Sequence, residues 1–168
     1  MTIDQQSGKM SVRRIGGYLH YFQPILDNTG KVIGSAVRPL MVEVRPRDIL
    51  QMIIGASVLA IPVGFTEECW TLGENLPLRN VIILSFISVL FISTFVYFNF
   101  YRFHLKGFEV NFIKRCLSIY IVSIILVGLL LTLIQKCPWG VNNIVALKRI
   151  IIVAFPASMS AAISDMLK

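Results

Sequence analysis

The stretch ILQMIIGASVLAIPVGF, Ile49 to Phe65, carries no charge and is followed directly by TEECWTL, Thr66 to Leu72. At 1.5 Å per residue a helix from Ile49 to Leu72 is long enough to cross a hydrocarbon core of about 30 Å. Two carboxylates, Glu67 and Glu68, stand at its far end beside Trp70, and Gly55, Pro62 and Gly64 interrupt its bulky side chains. Ionisable groups at membrane depth are costly and mark candidate functional positions. The reading of this segment as a membrane helix decides the fold.

The rest of the chain agrees with it. Of 168 residues, 55% are hydrophobic and 15% charged, and the mean hydropathy is +0.72, which lies outside the range of soluble domains. Apolar runs predict four spans, at about 49–72, 78–101, 116–134 and 144–164. The apolar core of the fourth, Ile150 to Ile163, is short. It reaches full thickness only if it starts near Ile144 and Lys148 and Arg149 snorkel to the headgroups. The first 48 residues are polar or mixed, so the first apolar segment reads as a span and not as a cleaved leader.

Residues 1–48 form a separate piece, distinct from the four-helix domain at 49–168. Asp27-Asn28-Thr29-Gly30-Lys31 is a turn signal between two β-prone runs, Tyr18 to Leu26 and Val32 to Val37, and Leu40 to Arg45 suits a further strand. The first dozen residues read as disordered. A hairpin or sheet this small needs something to pack on. Asp48 is placed to cap the first membrane helix.

Lys and Arg set the orientation. Twelve of them, in the N-terminal piece, at Arg102, Lys106, Lys114 and Arg115, and at Lys168, fall on one side; four, Arg79, Lys136, Lys148 and Arg149, fall on the other. Both termini are therefore expected in the cytoplasm of a cell whose plasma or inner membrane the protein spans several times. Trp70 and Trp139 then mark the outer interface, and Tyr97, Tyr101 and Phe103 the inner one. The net charge of +7 is accounted for by this topology and by anionic lipid, with no nucleic-acid partner, because the basic residues are spread around span ends. Cys69 and Cys137 fall on the outer side, where a disulfide between them can form; two independent apolar thiols is the commoner reading of such a pair.

Ala56, Ala60, Gly64 and Glu68 recur every four residues, with Thr71 beside their outer end, so on one helix they form a stripe that either lines a pore or packs on another helix. The small residues from Ala154 to Ala162 offer a partner face. Pro62, with Gly64, is a candidate hinge. If several copies surround an axis, Glu67 and Glu68 make a carboxylate ring at the outer mouth, the device by which cation channels concentrate their ions. No Gly-rich phosphate loop, His-Glu-x-x-His or Cys-x-x-Cys is present, and the two histidines, His20 and His104, are far apart, so neither an enzyme nor a bound cofactor or metal is expected beyond a transported cation at Glu67 and Glu68.

The segment Pro62-Val63-Gly64-Phe65-Thr66-Glu67-Glu68-Cys69-Trp70-Thr71-Leu72-Gly73, preceded by Arg45-Pro46-Arg47-Asp48, resembles the prokaryotic integral membrane proteins of domain of unknown function 2391. The resemblance implies a bacterial or archaeal protein with several spans and supplies no activity and no site residue. An acid close to Trp at the end of a pore helix is also chemically similar to calcium-uniporter selectivity motifs, at a different spacing. Small multidrug transporters share four spans and a Glu in the first, but theirs lies near mid-membrane and dual-topology members lack the charge bias seen here.

The sequence thus predicts an all-α polytopic membrane protein acting as a homo-oligomeric cation channel or channel-like permeation protein. Its expected partners are the lipid bilayer, copies of itself and inorganic cations. The alternatives are a membrane scaffold or accessory subunit and a small cation-coupled transporter.

Overall fold

A computed structural model describes residues 11–15, 18–27, 32–39, 43–101 and 108–167. They belong to two units, Met1–Glu43 and Val44–Lys168. The first unit holds a three-stranded antiparallel sheet in the order β1 (Ser11–Ile15), β2 (Tyr18–Leu26), β3 (Val32–Pro39). Ser11, Phe22 and Val37 pair across it, as do Arg13, His20 and Pro39, and the ladder slips by one residue between Ile25 and Leu26. β1 lies partly in the segment expected to be disordered. Residues 1–10, most of the turn after Asp27, and Leu40 to Val42 of the third expected strand lie outside the described residues.

Among its described residues the second unit contains five helices: α1 (Pro46–Gly64), α2 (Glu67–Asn75), α3 (Leu78–Val96) running into a π-helical turn (Tyr97–Tyr101), α4 (Glu109–Leu133) and α5 (Asn143–Met166). Four are long and apolar enough to cross a membrane: α1, α3 with its π turn, α4 and α5. Half of the most apolar window of α5 is buried, against 22–33% in the other three, so α5 is the central helix. It touches α1 most extensively and also packs on α2, α3 and α4. Small residues permit this. Ala154, Ala157 and Ala161 of α5 and Ala56 and Ala60 of α1 have no exposed surface, and a Cβ added to Gly55 would lie 2.3 Å from Ser164 Cβ and 2.8 Å from the Ser160 carbonyl oxygen.

The outward arcs are largely apolar. Leu50, Ile54, Val58 and Ile61 on α1, and Leu117, Ile121, Ile125 and Leu129 on α4, recur at helical spacing and are exposed, as lipid-facing arcs require. Hydroxyls pair between helices inside: those of Ser88 (α3) and Ser158 (α5) lie 2.7 Å apart, those of Ser85 (α3) and Tyr120 (α4) 2.6 Å.

Helix bounds depart from expectation in two places, and the fourth span, expected at 144–164, keeps its bounds but differs in two side chains. The first helix stops at Gly64, not near Leu72, and the residues after it form the separate α2. The third span starts at Glu109, so Lys114 and Arg115 are helical and not part of a loop. The fourth is full length, and Lys148 and Arg149 do not snorkel: both are over 90% buried, because their donors are consumed by backbone carbonyls. The N-cap of α1 is Arg45; Asp48 sits in the first turn, where its Oδ2 accepts the Arg45 backbone N–H at 3.1 Å.

Candidate functional site

Glu67 and Glu68 open α2, and a helix N-terminus stabilises carboxylates by its dipole. Both are exposed, and with Thr71, Leu72 and Asn75 they line an open groove of about 390 Å³. Thr71, also exposed, donates its hydroxyl to the Glu67 carbonyl at 3.0 Å. The predicted stripe does not extend to Glu68. After Gly64 the backbone leaves the helical region, Thr66 being extended at φ −86°, ψ 138°, and α2 begins a new axis with a new register. Ala56, Ala60 and Gly64 are buried within the helical unit of a single chain. A Cβ on Gly64 would lie 3.3 Å from Leu130 and 3.8 Å from Val153. They pack helices together; no pore could use them while this bundle is intact. Pro62 is exposed two residues before the helix ends.

The other arc of α2 is tied down by two cations from α5. Lys148 Nζ donates to the carbonyls of Glu74 (3.2 Å) and Leu76 (2.7 Å), satisfying groups that a helix C-terminus leaves open. Arg149 spends three nitrogens: Nε on the Trp70 carbonyl (3.1 Å), Nη2 on Glu74 Oε1 (2.5 Å) and Nη1 on the Lys136 carbonyl in the loop after α4. Trp70 donates its indole N–H to the Gly64 carbonyl at 2.9 Å, while the Lys136 ammonium sits 3.8 Å from its ring centre. Gly73 lies directly on the Arg149 stem, where a Cβ would meet Cγ at 2.3 Å. The Trp70, Gly73 and Glu74 spacing in the sequence is the imprint of this clamp.

At the other end of the bundle, where both termini of this unit lie, is a cluster the sequence reading did not assemble. Arg115 of α4, fully buried, donates through Nε and Nη2 to both oxygens of Asp165 (2.7 and 3.0 Å), and Nη2 lies 3.4 Å from Asp48 Oδ2. Asp165 of α5 is 0% and Asp48 of α1 1% exposed. Asp165 stands in the last turn of an apolar span and is nevertheless enclosed. The Phe100 ring covers the guanidinium at 3.9 Å, and Tyr101, buried beside it, meets Phe112 edge-on at 5.3 Å. A π turn spaces successive residues more closely around the axis than an α turn, which suits two neighbours aimed at one side. The usable signal was charge balance by depth: two acids and one base at the same ends of three spans.

Cys69, Cys116 and Cys137 are free thiols, so the Cys69–Cys137 bridge is not made. Burial pushes the Cys137 thiol above its ordinary value, against the opposing effects of a Thr132 hydrogen bond and the Arg149 charge. Among the described residues no three His, Cys, Asp or Glu side chains are grouped to hold a metal. Arg102, Phe103, His104 and Lys106, expected at the inner rim, lie outside the described residues.

A family model described as "Putative integral membrane protein (DUF2391)" matches residues 31–167. The chain belongs to that family. No curated protein and no solved structure matches it. The DUF2391 match covers all five helices and β3, and thus both the α2 clamp and the Arg115 cluster. This protein is therefore an integral membrane protein in contact with lipid, as the resemblance carried by residues 45–73 implied.

Proposed function

We propose that the protein is a homo-oligomeric, channel-like cation permeation protein of the cell membrane, not an enzyme, with both termini cytoplasmic and α2 on the outer side. One observation carries the reading: α2 is held to α5 on one arc and turns Glu67, Glu68 and Thr71 to an open groove on the other. Exposed carboxylates on a fixed support raise the local concentration of cations, and copies around an axis multiply the effect. The sidedness is supported by the split of Lys and Arg and by Trp70 and Trp139 lying towards the α2 end. Since α1 turns Leu50, Ile54, Val58 and Ile61 outward, a path between copies would be a hydrophobic constriction gated by wetting, with the acids acting only at its mouth.

The test is reconstitution in liposomes under a salt gradient. Glu67→Gln and Glu68→Gln should lower cation flux and the preference for cations over anions; unchanged flux and selectivity in both would remove the acids from any permeation role. A second reading, a scaffold or accessory subunit, is favoured by the same apolar outer arcs, which suit lipid or another helix better than water. A closed symmetric ring on purification supports the first reading; a monomer that co-purifies with a membrane partner supports the second.

A further inference from the structure

α2 has little to hold it in place by itself. At nine residues it is shorter than a helix that persists alone in water, and of its side only Gly73 is buried. It is bounded by a break at Phe65 and Thr66 on one side and by Leu76 and Pro77 on the other, all non-helical or capping positions. Its direction is therefore set by polar ties, and of the two α5 cations that supply them Arg149 reaches nearer the acids. Arg149 reaches α2 at the Trp70 carbonyl and the Glu74 carboxylate, and reaches the loop after α4 at the Lys136 carbonyl. Its aliphatic stem is the surface on which Gly73 rests. Lysine at this position keeps the charge but cannot point donors in three fixed directions, which the planar guanidinium does.

We propose that Arg149 is the positioning residue for the acidic pair: it fixes the pose of α2, and through it the direction in which Glu67 and Glu68 face. This rests on the reading of those acids as a cation-collecting mouth. Lys148 alone does not suffice, because its two acceptors are both at the C-terminal end of α2; nearer the acids, α2 is held to α5 by the Arg149 contact at the Trp70 carbonyl and to the end of α1 by the Trp70 indole bond to Gly64.

Two variants disturb the clamp in different ways, Arg149→Lys by removing the fork and Gly73→Ala by pushing a methyl group into the Arg149 stem with every charge retained. Each is made in the full chain with Cys69 and Cys116 replaced by Ser. The first readout is maleimide labelling of Cys137, a buried thiol one residue after the Lys136 carbonyl that Arg149 holds. Labelling should quicken by about tenfold in both variants, because a closed site reacts in proportion to the fraction of time it opens. The second readout is the cation-to-anion permeability ratio in liposomes, which should fall towards that of Glu67→Gln and Glu68→Gln, whereas a loss of folded protein alone lowers total flux and leaves the ratio unchanged.

Unchanged labelling in both variants overturns the proposal. So does faster labelling with an unaltered ratio when the acid variants do alter it. If the acid variants leave the ratio untouched, the cation reading has failed by itself, and labelling alone then decides whether Arg149 sets the pose of α2.

Discussion

The two ends of the helical unit are each fastened by an arginine, and the two joints differ in kind. Arg115 is wholly enclosed, grips Asp165 with two nitrogens and approaches Asp48, and joins α1, α4 and α5. Arg149 is bound mainly to backbone carbonyls, and its one carboxylate partner, Glu74, is 58% exposed at its side chain. A charge with no access to water depends on its partners completely, since removing one leaves another stranded in a poor solvent. Near water a lost partner is replaced by solvent. The same guanidinium is thus part of a fully enclosed joint at one end and of a clamp whose carboxylate partner is open to solvent at the other, the end that carries Glu67 and Glu68.

Arg115→Ala is expected to do the most damage. It takes away the guanidinium to which both oxygens of the buried Asp165 are bonded, a change that costs about 3–5 kcal/mol where a buried pair is broken from one side. Thermal unfolding in detergent should show a large loss of folded protein. Replacing Arg115 by Met together with Asp48→Asn and Asp165→Asn should recover much of it, because neutral groups leave no charge unpaired. Equal damage from the single and the triple change would mean that the cluster acts by shape alone.

Gly55→Ala comes next. Its methyl would collide with Ser164 Cβ and the Ser160 carbonyl, so α1 and α5 must part, at about 1–3 kcal/mol for an overpacked site. Arg149→Ala should cost less than Arg115→Ala, about 1–2 kcal/mol, because water can reach Glu74 and part of the clamp. Comparing the unfolding midpoints of the two Arg→Ala variants is the direct test of the contrast. A clamp variant as damaging as the Arg115 variant would erase the distinction between the ends.

What was legible in the sequence follows the same division. Lipid imposes one simple demand, a long apolar run with its backbone satisfied internally, so α3, and the existence of a first, third and fourth span, could be read directly. The small residues of α1 and α5 were legible as a contact, because Ala56, Ala60 and Gly64 repeat at the spacing of one helix face. The end of α1 was not. Nothing in Phe65-Thr66-Glu67 forbids a helix, and the groups that tie the redirected segment to the bundle, Lys148 and Arg149, are more than seventy positions away on α5. The Arg115 cluster was hidden for the same reason. Its members are 50 and 67 positions apart, and a charge at a span end looks the same in sequence whether it meets headgroups or another charge.

The smallest expected effect lies between the two ends, in the Ser88 and Ser158 pair. Both hydroxyls are buried and bonded to each other at 2.7 Å, and Ser158 also donates to the Phe155 carbonyl at 2.9 Å when its proton points that way. A hydroxyl pair between membrane helices is worth about 0.6 kcal/mol on average, so Ser88→Ala or Ser158→Ala should shift the unfolding midpoint only slightly. Ser88→Ala should be the milder, since Ser158 retains an acceptor on its own helix, whereas Ser158→Ala leaves Ser88 without its interhelical partner. If both shifts rivalled that of Arg149→Ala, the middle of the bundle, and not its ends, would be where polar contacts decide how the helices are held.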